Sequence, residues 1–142
     1  MEEFQFKTYD LDSSVLKDEY TILQAGNGKK DDASIKIDAK AFSFIEGLIW
    51  DKYREYGNED KTKIDKSEWD RIIAGFENAV VKLDNYENTD NLMKILKFGI
   101  IGSKHEIIDV TDSIEDLKQL IKELALWLSN KIKKNKYIYV IK

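Results

Sequence analysis

The chain has 142 residues, 42 % hydrophobic and 35 % charged, with a formal net charge of −4, which suits one folded domain (1–142) with a single substantial core. The absence of cysteine excludes a disulfide framework, a thiolate nucleophile and cysteine-ligated zinc. The mildly acidic balance disfavours direct binding of nucleic acid or an anionic membrane. With neither a basic leader pattern nor about twenty consecutive apolar residues, a soluble, cytoplasmic protein is expected. Proline is also absent, so helices must stop at glycine, asparagine or a tertiary contact.

Phe4, Phe6 and Thr8 alternate with Gln5, Lys7 and Tyr9, the period-2 pattern of a strand with one aromatic face inward. Residues 20–24 form a second strand candidate, and Gly26-Asn27-Gly28 supplies the backbone freedom for a reversal. Residues 34–37 then read as a third strand returning antiparallel beside the second, with Ile35 and Ile37 on the covered face.

Asp38 is placed to cap a first helix over 39–56, whose apolar stripe is Phe42, Ile45, Leu48, Ile49, Tyr53 and Tyr56. A polar link over 59–62 leads to the best-specified helix, 65–83. Asp65 and Glu68 fit a capping box, Ile64 and Trp69 a hydrophobic staple, and Trp69, Ile72, Ile73, Phe76, Val80 and Leu83 an inward stripe. These two helices are expected to pack as an antiparallel pair. A third helix over 90–98 buries Leu92, Ile95 and Leu96 and stops at Gly99. Residues 100–110 read as strand or loop, with β-branched residues favouring strand.

Thr111, Asp112 and Ser113 are alternative caps for a long fourth helix with Ile114, Leu117, Ile121, Leu124, Ala125, Leu128 and Ile132 inward. Leu120, Leu126 and Trp127 on its flanks place it in the middle of the packing. Residues 137–141 are apolar on both faces, which suits a strand covered on both sides and paired with an early strand. The fold class is therefore α+β: a small, mostly antiparallel sheet from the N-terminal strands plus the C-terminal strand, against about four α-helices.

Chemical motifs are weak. His105 lies near Ser103 and Asp109, but Gly99-Ile-Ile-Gly-Ser103 lacks the nucleophile-elbow spacing and the sequence after His105 lacks the second imidazole of a zinc-protease site. Gly102-Ser-Lys104 lacks the spacing of a phosphate loop. Residues 57–68 place Asp65 and Glu68 at calcium-loop positions, yet Gly57, Lys61 and Thr62 stand where ligands and the turn glycine belong. No acidic pair is set apart by an apolar environment that would raise its pKa, as glycoside hydrolysis requires. No catalytic residue, cofactor or metal site is expected.

Surface patterning is more informative. Asp70, Glu77 and Asp84 recur every seven residues as an acidic ridge beside the core stripe. Trp50 points away from the inward face of the first helix, between Glu46 and Arg54, and an exposed tryptophan rimmed by charge is the chemistry of a binding hot spot. The ordinary readings are a solvated helix flank and a tryptophan that meets its own chain. Residues 1–71 hold 17 acids against 12 bases and the remainder 10 against 11, which locates the acidic bias in the strands and first two helices.

With this character, and the general look of KIDAKAFSFIEGLIW and KIDKSEWDRIIAGFENA, the chain resembles bacterial toxin-immunity proteins of the contact-dependent growth inhibition and polymorphic-toxin type. The two segments cover about a quarter of the sequence and carry no diagnostic motif. The resemblance implies stoichiometric inhibition of a cognate toxin domain, often a nuclease with a basic cleft, by a monomer or weak homodimer. Glu46, Trp50, Asp70, Glu77 and Asp84 are the expected footprint. The competing expectations are a small hydrolase using a carboxylate and His105, and a self-associating structural or regulatory module.

Overall fold

The computed structural model describes residues 6, 8–10, 20–25, 34–57, 59–97 and 111–142. The expected reversal at Gly26-Asn27-Gly28, the stretch 100–110 with His105, and Phe4 lie outside the described residues. The described strands are β1 (Thr8–Asp10), β2 (Tyr20–Ala25), β3 (Ser34–Asp38), β4 (Lys61–Asp65) and β5 (Tyr137–Ile141). They form one antiparallel sheet in the order β1-β3-β2-β5-β4. The described α-helices are α1 (Ala39–Ser43), α2 (Glu46–Lys52), α3 (Lys66–Leu83), α4 (Thr89–Leu96) and α5 (Ile114–Ile132), the last preceded by a 3-10 turn at Thr111–Ser113. The protein is thus α+β, with the C-terminal strand beside β2.

Alternation along the strands decides which face of the sheet is covered. Leu23, Ala25, Ile35, Ile37, Ile64, Ile138 and Val140 are buried on one face and share a core with Trp69, Phe76, Leu117, Ile121 and Leu124 of the helices. β5 is fully buried on that face only: Ile138 and Val140 are buried, whereas Tyr137, Tyr139 and Ile141 are partly buried on the other. The expectation of a strand covered on both sides is thus met fully on one face and in part on the other.

β4 occupies a stretch that reads as a polar link in the sequence. Thr62 and Ile64 face inward while Lys61, Lys63 and Asp65 face out, and Ile64 pairs with Ile138. The strand runs directly into α3, whose N-cap is Asp65 as expected, but the Asp65 side chain makes no capping hydrogen bond. Glu68 pairs with Arg71 at 3.3 Å instead of reaching back. Strand geometry holds Asp65 from behind, and the Lys66 amide donates to the Lys136 carbonyl at 2.9 Å. The capping box is therefore replaced by a contact with the residue that leads into β5. One turn on, the wholly buried Trp69 donates from Nε1 to the Ile138 carbonyl at 3.2 Å.

The first helix is broken. Asp38 does cap α1, accepting from the Lys40 amide at 3.1 Å, but α1 ends at Ser43, α2 begins at Glu46, and Tyr53 is extended. The break turns Phe44 and Ile45 inward together with Phe42, Leu48 and Ile49, more apolar surface than one straight helical stripe can bury. Gly47 permits the second half to approach α4: a Cβ there would lie 2.5 Å from the Lys97 carbonyl oxygen and 2.8 Å from that of Leu96.

Helix α4 ends with Lys97 in the left-handed region at φ 57°, so the stop precedes the expected Gly99. Helix α5 buries its expected stripe and Leu120, but Leu126 is 65 % exposed, which corrects its placement in the packing. The strongest helical partner of α3 is α5, with α2 on a second flank.

Three stability measurements follow from these contacts, each readable by urea denaturation. Trp69→Phe removes the indole donor and part of the ring, and a loss of about 2 kcal/mol is expected; unchanged stability would mean that the Ile138 contact does not hold the layers. Gly47→Ala gains roughly 1 kcal/mol of helix propensity but drives a Cβ into backbone oxygen, where overpacking costs about 1–3 kcal/mol, so a net loss is expected. Gly75→Ala, whose Cβ would meet only the flexible Lys52 side chain at 3.5 Å, is expected to stabilise by about 0.5–1 kcal/mol.

Candidate functional site

Helix α3 is amphipathic. Trp69, Ile72, Ile73, Phe76, Ala79 and Leu83 are buried, and at about 100° per residue Asp70, Ala74, Glu77 and Val81 share an arc of about 60° on the outer flank. All four are exposed. Val81 is 65 % exposed, and it and Leu126 of α5 are the large hydrophobics left most open among the described residues. The outer flank of α3 therefore combines two carboxylates with an uncovered apolar side chain.

Asp84 continues the acidic row at the C-cap of α3, but it is engaged. Its Oδ1 pairs with Lys118 Nζ, and Lys118 also meets Glu115 at 3.3 Å. Lys118 is buried, and a buried ammonium needs such partners. The hydrogen bond between them holds the Asp84 carboxyl below the usual carboxylate range and the Lys118 ammonium above its usual range. Because this pair joins the end of α3 to the start of α5, and the two helices pack against each other, they run antiparallel. α5 is thus an antiparallel partner of α3, and α2, part of the expected first helix, also packs against α3.

Glu46 and Trp50 lie elsewhere. Both belong to α2, which meets α3 near Gly75 through Lys52, and Gly75 and Glu77 point about 160° apart around the axis. Glu46 Oε1 accepts from the Tyr56 hydroxyl at 2.7 Å and pairs with Lys142 at 2.9 Å. Lys142 also stands 4.8 Å from the centre of the Tyr56 ring, and its amide donates to the Asp60 carbonyl at 2.8 Å. Burial first, and then the Glu46 charge, push the Tyr56 hydroxyl well above its ordinary pKa. Tyr56 therefore remains a hydrogen-bond donor at every pH near neutrality, and Glu46 is a tie between α2 and the last residue of the chain.

Trp50 is half-buried and packs against the core, with the Arg54 guanidinium 3.8 Å from its ring centre. The expectation of an exposed tryptophan rimmed by charge is met in part: the ring is half-buried against the core, and Arg54 lies against it. The five residues expected to form one footprint thus divide into Asp70, Glu77 and Asp84 on the α5 side of α3, and Glu46 and Trp50 on the α2 side. Val81 was missed by the sequence reading. Its signal is an isolated β-branched residue on the polar arc of a strongly amphipathic helix, one turn from Glu77.

Among the described residues no group of three or more His, Cys, Asp or Glu side chains could hold a metal ion, and no helix is long and apolar enough to cross a membrane. His105, Ser103 and Asp109 lie outside the described residues. No protein-family model matches the chain, and neither a curated protein nor a solved structure matches it.

The Asp84–Lys118 pair makes stability depend on pH in a defined direction. A carboxyl whose folded pKa is depressed contributes stability that is fully present above its unfolded pKa of about 3.9 and is lost as pH falls through the folded value. The raised Lys118 contributes below about pH 10.4 and loses its contribution only as pH rises through its folded value. Asp84→Asn is therefore expected to lower the denaturation midpoint most near neutrality, with variant and wild type converging as pH falls from neutrality to below about 3.9. A gap of constant size across that range would rule out Asp84 as a contributor to acid sensitivity.

Proposed function

We propose that this chain is a bacterial toxin-immunity protein of the contact-dependent growth inhibition or polymorphic-toxin type. It acts in the cytoplasm, without catalysis, by binding a cognate toxin domain stoichiometrically. The outer flank of α3 carries the reading: Asp70 and Glu77 are exposed there with Val81, 65 % open, on the same arc. Carboxylates around an uncovered apolar side chain suit a basic partner, since charge steers encounter while the desolvated apolar contact holds the complex. A nuclease with a basic cleft is such a partner, and covering that cleft is enough to inhibit it. Asp84 borders this surface while bound to Lys118. Glu46 and Trp50, turned toward the α2 side and engaged by their own chain, are assigned to the fold rather than to the contact.

The test is a search for a neighbouring reading frame that encodes a toxin, and co-expression with its product. Growth rescue and a one-to-one complex on size exclusion are expected. Asp70→Lys with Glu77→Lys is expected to slow association strongly at low salt, and Val81→Asp to weaken the complex by about tenfold or more. Protection by the triple variant equal to that of the wild type would remove α3 as the contact surface. A neighbouring product that neither inhibits growth nor co-purifies would remove the immunity reading itself.

A further inference from the structure

The outward side of the β4–β5 end of the sheet is richer in bases than the outer arc of α3. Lys61 and Lys63 of β4 are exposed, with Tyr137 and Tyr139 of β5 partly exposed on the same face, where Asp65, opposite Tyr137, is a single carboxylate against the two lysines of β4. The two tyrosine rings stand edge to face with centres 5.3 Å apart. Lys61 Nζ lies 4.4 Å from the centre of Tyr139, and Lys63 Nζ lies 4.3 Å from that of Tyr137. Beyond the sheet the basic character continues, since residues 124–142 contain five lysines and no acid. Lysine on an edge strand is by itself a guard against unwanted strand pairing, but that role does not call for two aromatic rings interleaved with the ammonium groups.

We propose that this Tyr137–Tyr139 and Lys61–Lys63 lattice is a binding platform for single-stranded nucleic acid, with bases on the rings and phosphates on the lysines. Flat aromatic side chains on a sheet face accept unpaired bases without regard to sequence, and flanking cations follow the backbone. A base stacks more strongly than an exposed ammonium does, so each lysine can leave its ring for an adjacent phosphate when a base arrives. A duplex keeps its bases stacked inside and offers these rings nothing to hold. The overall charge of −4 does not oppose the proposal, because the acids of α3 lie in the helical layer on the other face of the sheet, and on β4 the two lysines outnumber Asp65.

The experiment is fluorescence anisotropy with a labelled oligouridylate of about twelve nucleotides, long enough to span one such platform. Saturable binding that weakens with salt is expected. Replacing Tyr137→Leu with Tyr139→Leu is expected to reduce affinity roughly tenfold or more at fixed salt. Lys61→Gln with Lys63→Gln is expected to reduce the log–log salt slope by about 1.4, the value for two lost phosphate contacts on a single strand. Both lysines are exposed, so this second variant decides the matter even where the leucine pair disturbs the sheet. Absence of binding at about 50 mM salt, conditions that favour phosphate contacts, would overturn the proposal. So would binding that polyglutamate displaces as readily as unlabelled oligouridylate and that survives loss of both rings, since this would be attraction of any polyanion to a charged patch.

Discussion

The donation from Trp69 to the Ile138 carbonyl joins the two layers of the fold at one point, and much of the rest depends on where that point lies. β5 is an interior strand, and Ile138 pairs with Ala25 on one side and Ile64 on the other. All four side chains are buried. A helix resting on a sheet can slide and roll while still burying apolar surface, because the hydrophobic effect is non-directional. A hydrogen bond from a buried indole is directional, and leaving its donor unsatisfied would be costly. It therefore fixes the rotation of α3, and that rotation decides that Gly75 faces α2 and Asp84 reaches Lys118. The same rotation leaves Asp70, Glu77 and Val81 outside.

The second constraint is close approach at Gly47. Helix α4 ends in a left-handed residue, so its last carbonyls are not continued into a helix, and those of Leu96 and Lys97 lie against Gly47. No side chain fits between them. The break at Phe44 and Ile45 and the missing side chain at Gly47 are linked: the first turns α2 away from the line of α1, and the second lets it settle on α4. The pair of helices that a single 39–56 stripe implied becomes a bent element wedged between sheet, α3 and α4.

Much of the architecture was legible because it is locally specified. β2, β3, β5, the Asp38 cap, the span of α3 and the buried stripe of α5 all rest on periodicity or on residues a few positions apart. β4 was not legible, since only Thr62 and Ile64 mark its inward face, and Asp65 with Glu68 offered a competing helix start. The helix does begin there, but β5 supplies the contact that a side-chain box would have supplied. Lys97 in a left-handed conformation ran against the expectation of glycine for the same reason, a tertiary contact overriding local preference. In the candidate site, the acidic row could be read from its seven-residue spacing. The engagement of Asp84 by Lys118, of Glu46 by Lys142 and of Trp50 by the core could not, because each partner depends on how distant elements pack.

Net charge was the least transferable of the sequence quantities. A value of −4 describes a surface only if acids and bases are evenly mixed, and here they are unevenly spread: Asp70 and Glu77 share one arc of α3, whereas Lys61 and Lys63 outnumber Asp65 on the outward face of β4. The acids of α3 belong to the helical layer, whereas Lys61 and Lys63 stand with two tyrosines on the far side of the sheet. The field near a surface is set by charges within about a Debye length, about 8 Å at physiological ionic strength, which is less than the distance of about 10 Å between packed layers. Each face therefore presents its own sign to a partner, and a chain that is acidic in sum can attract a cation-rich surface on one side and a polyanion on the other.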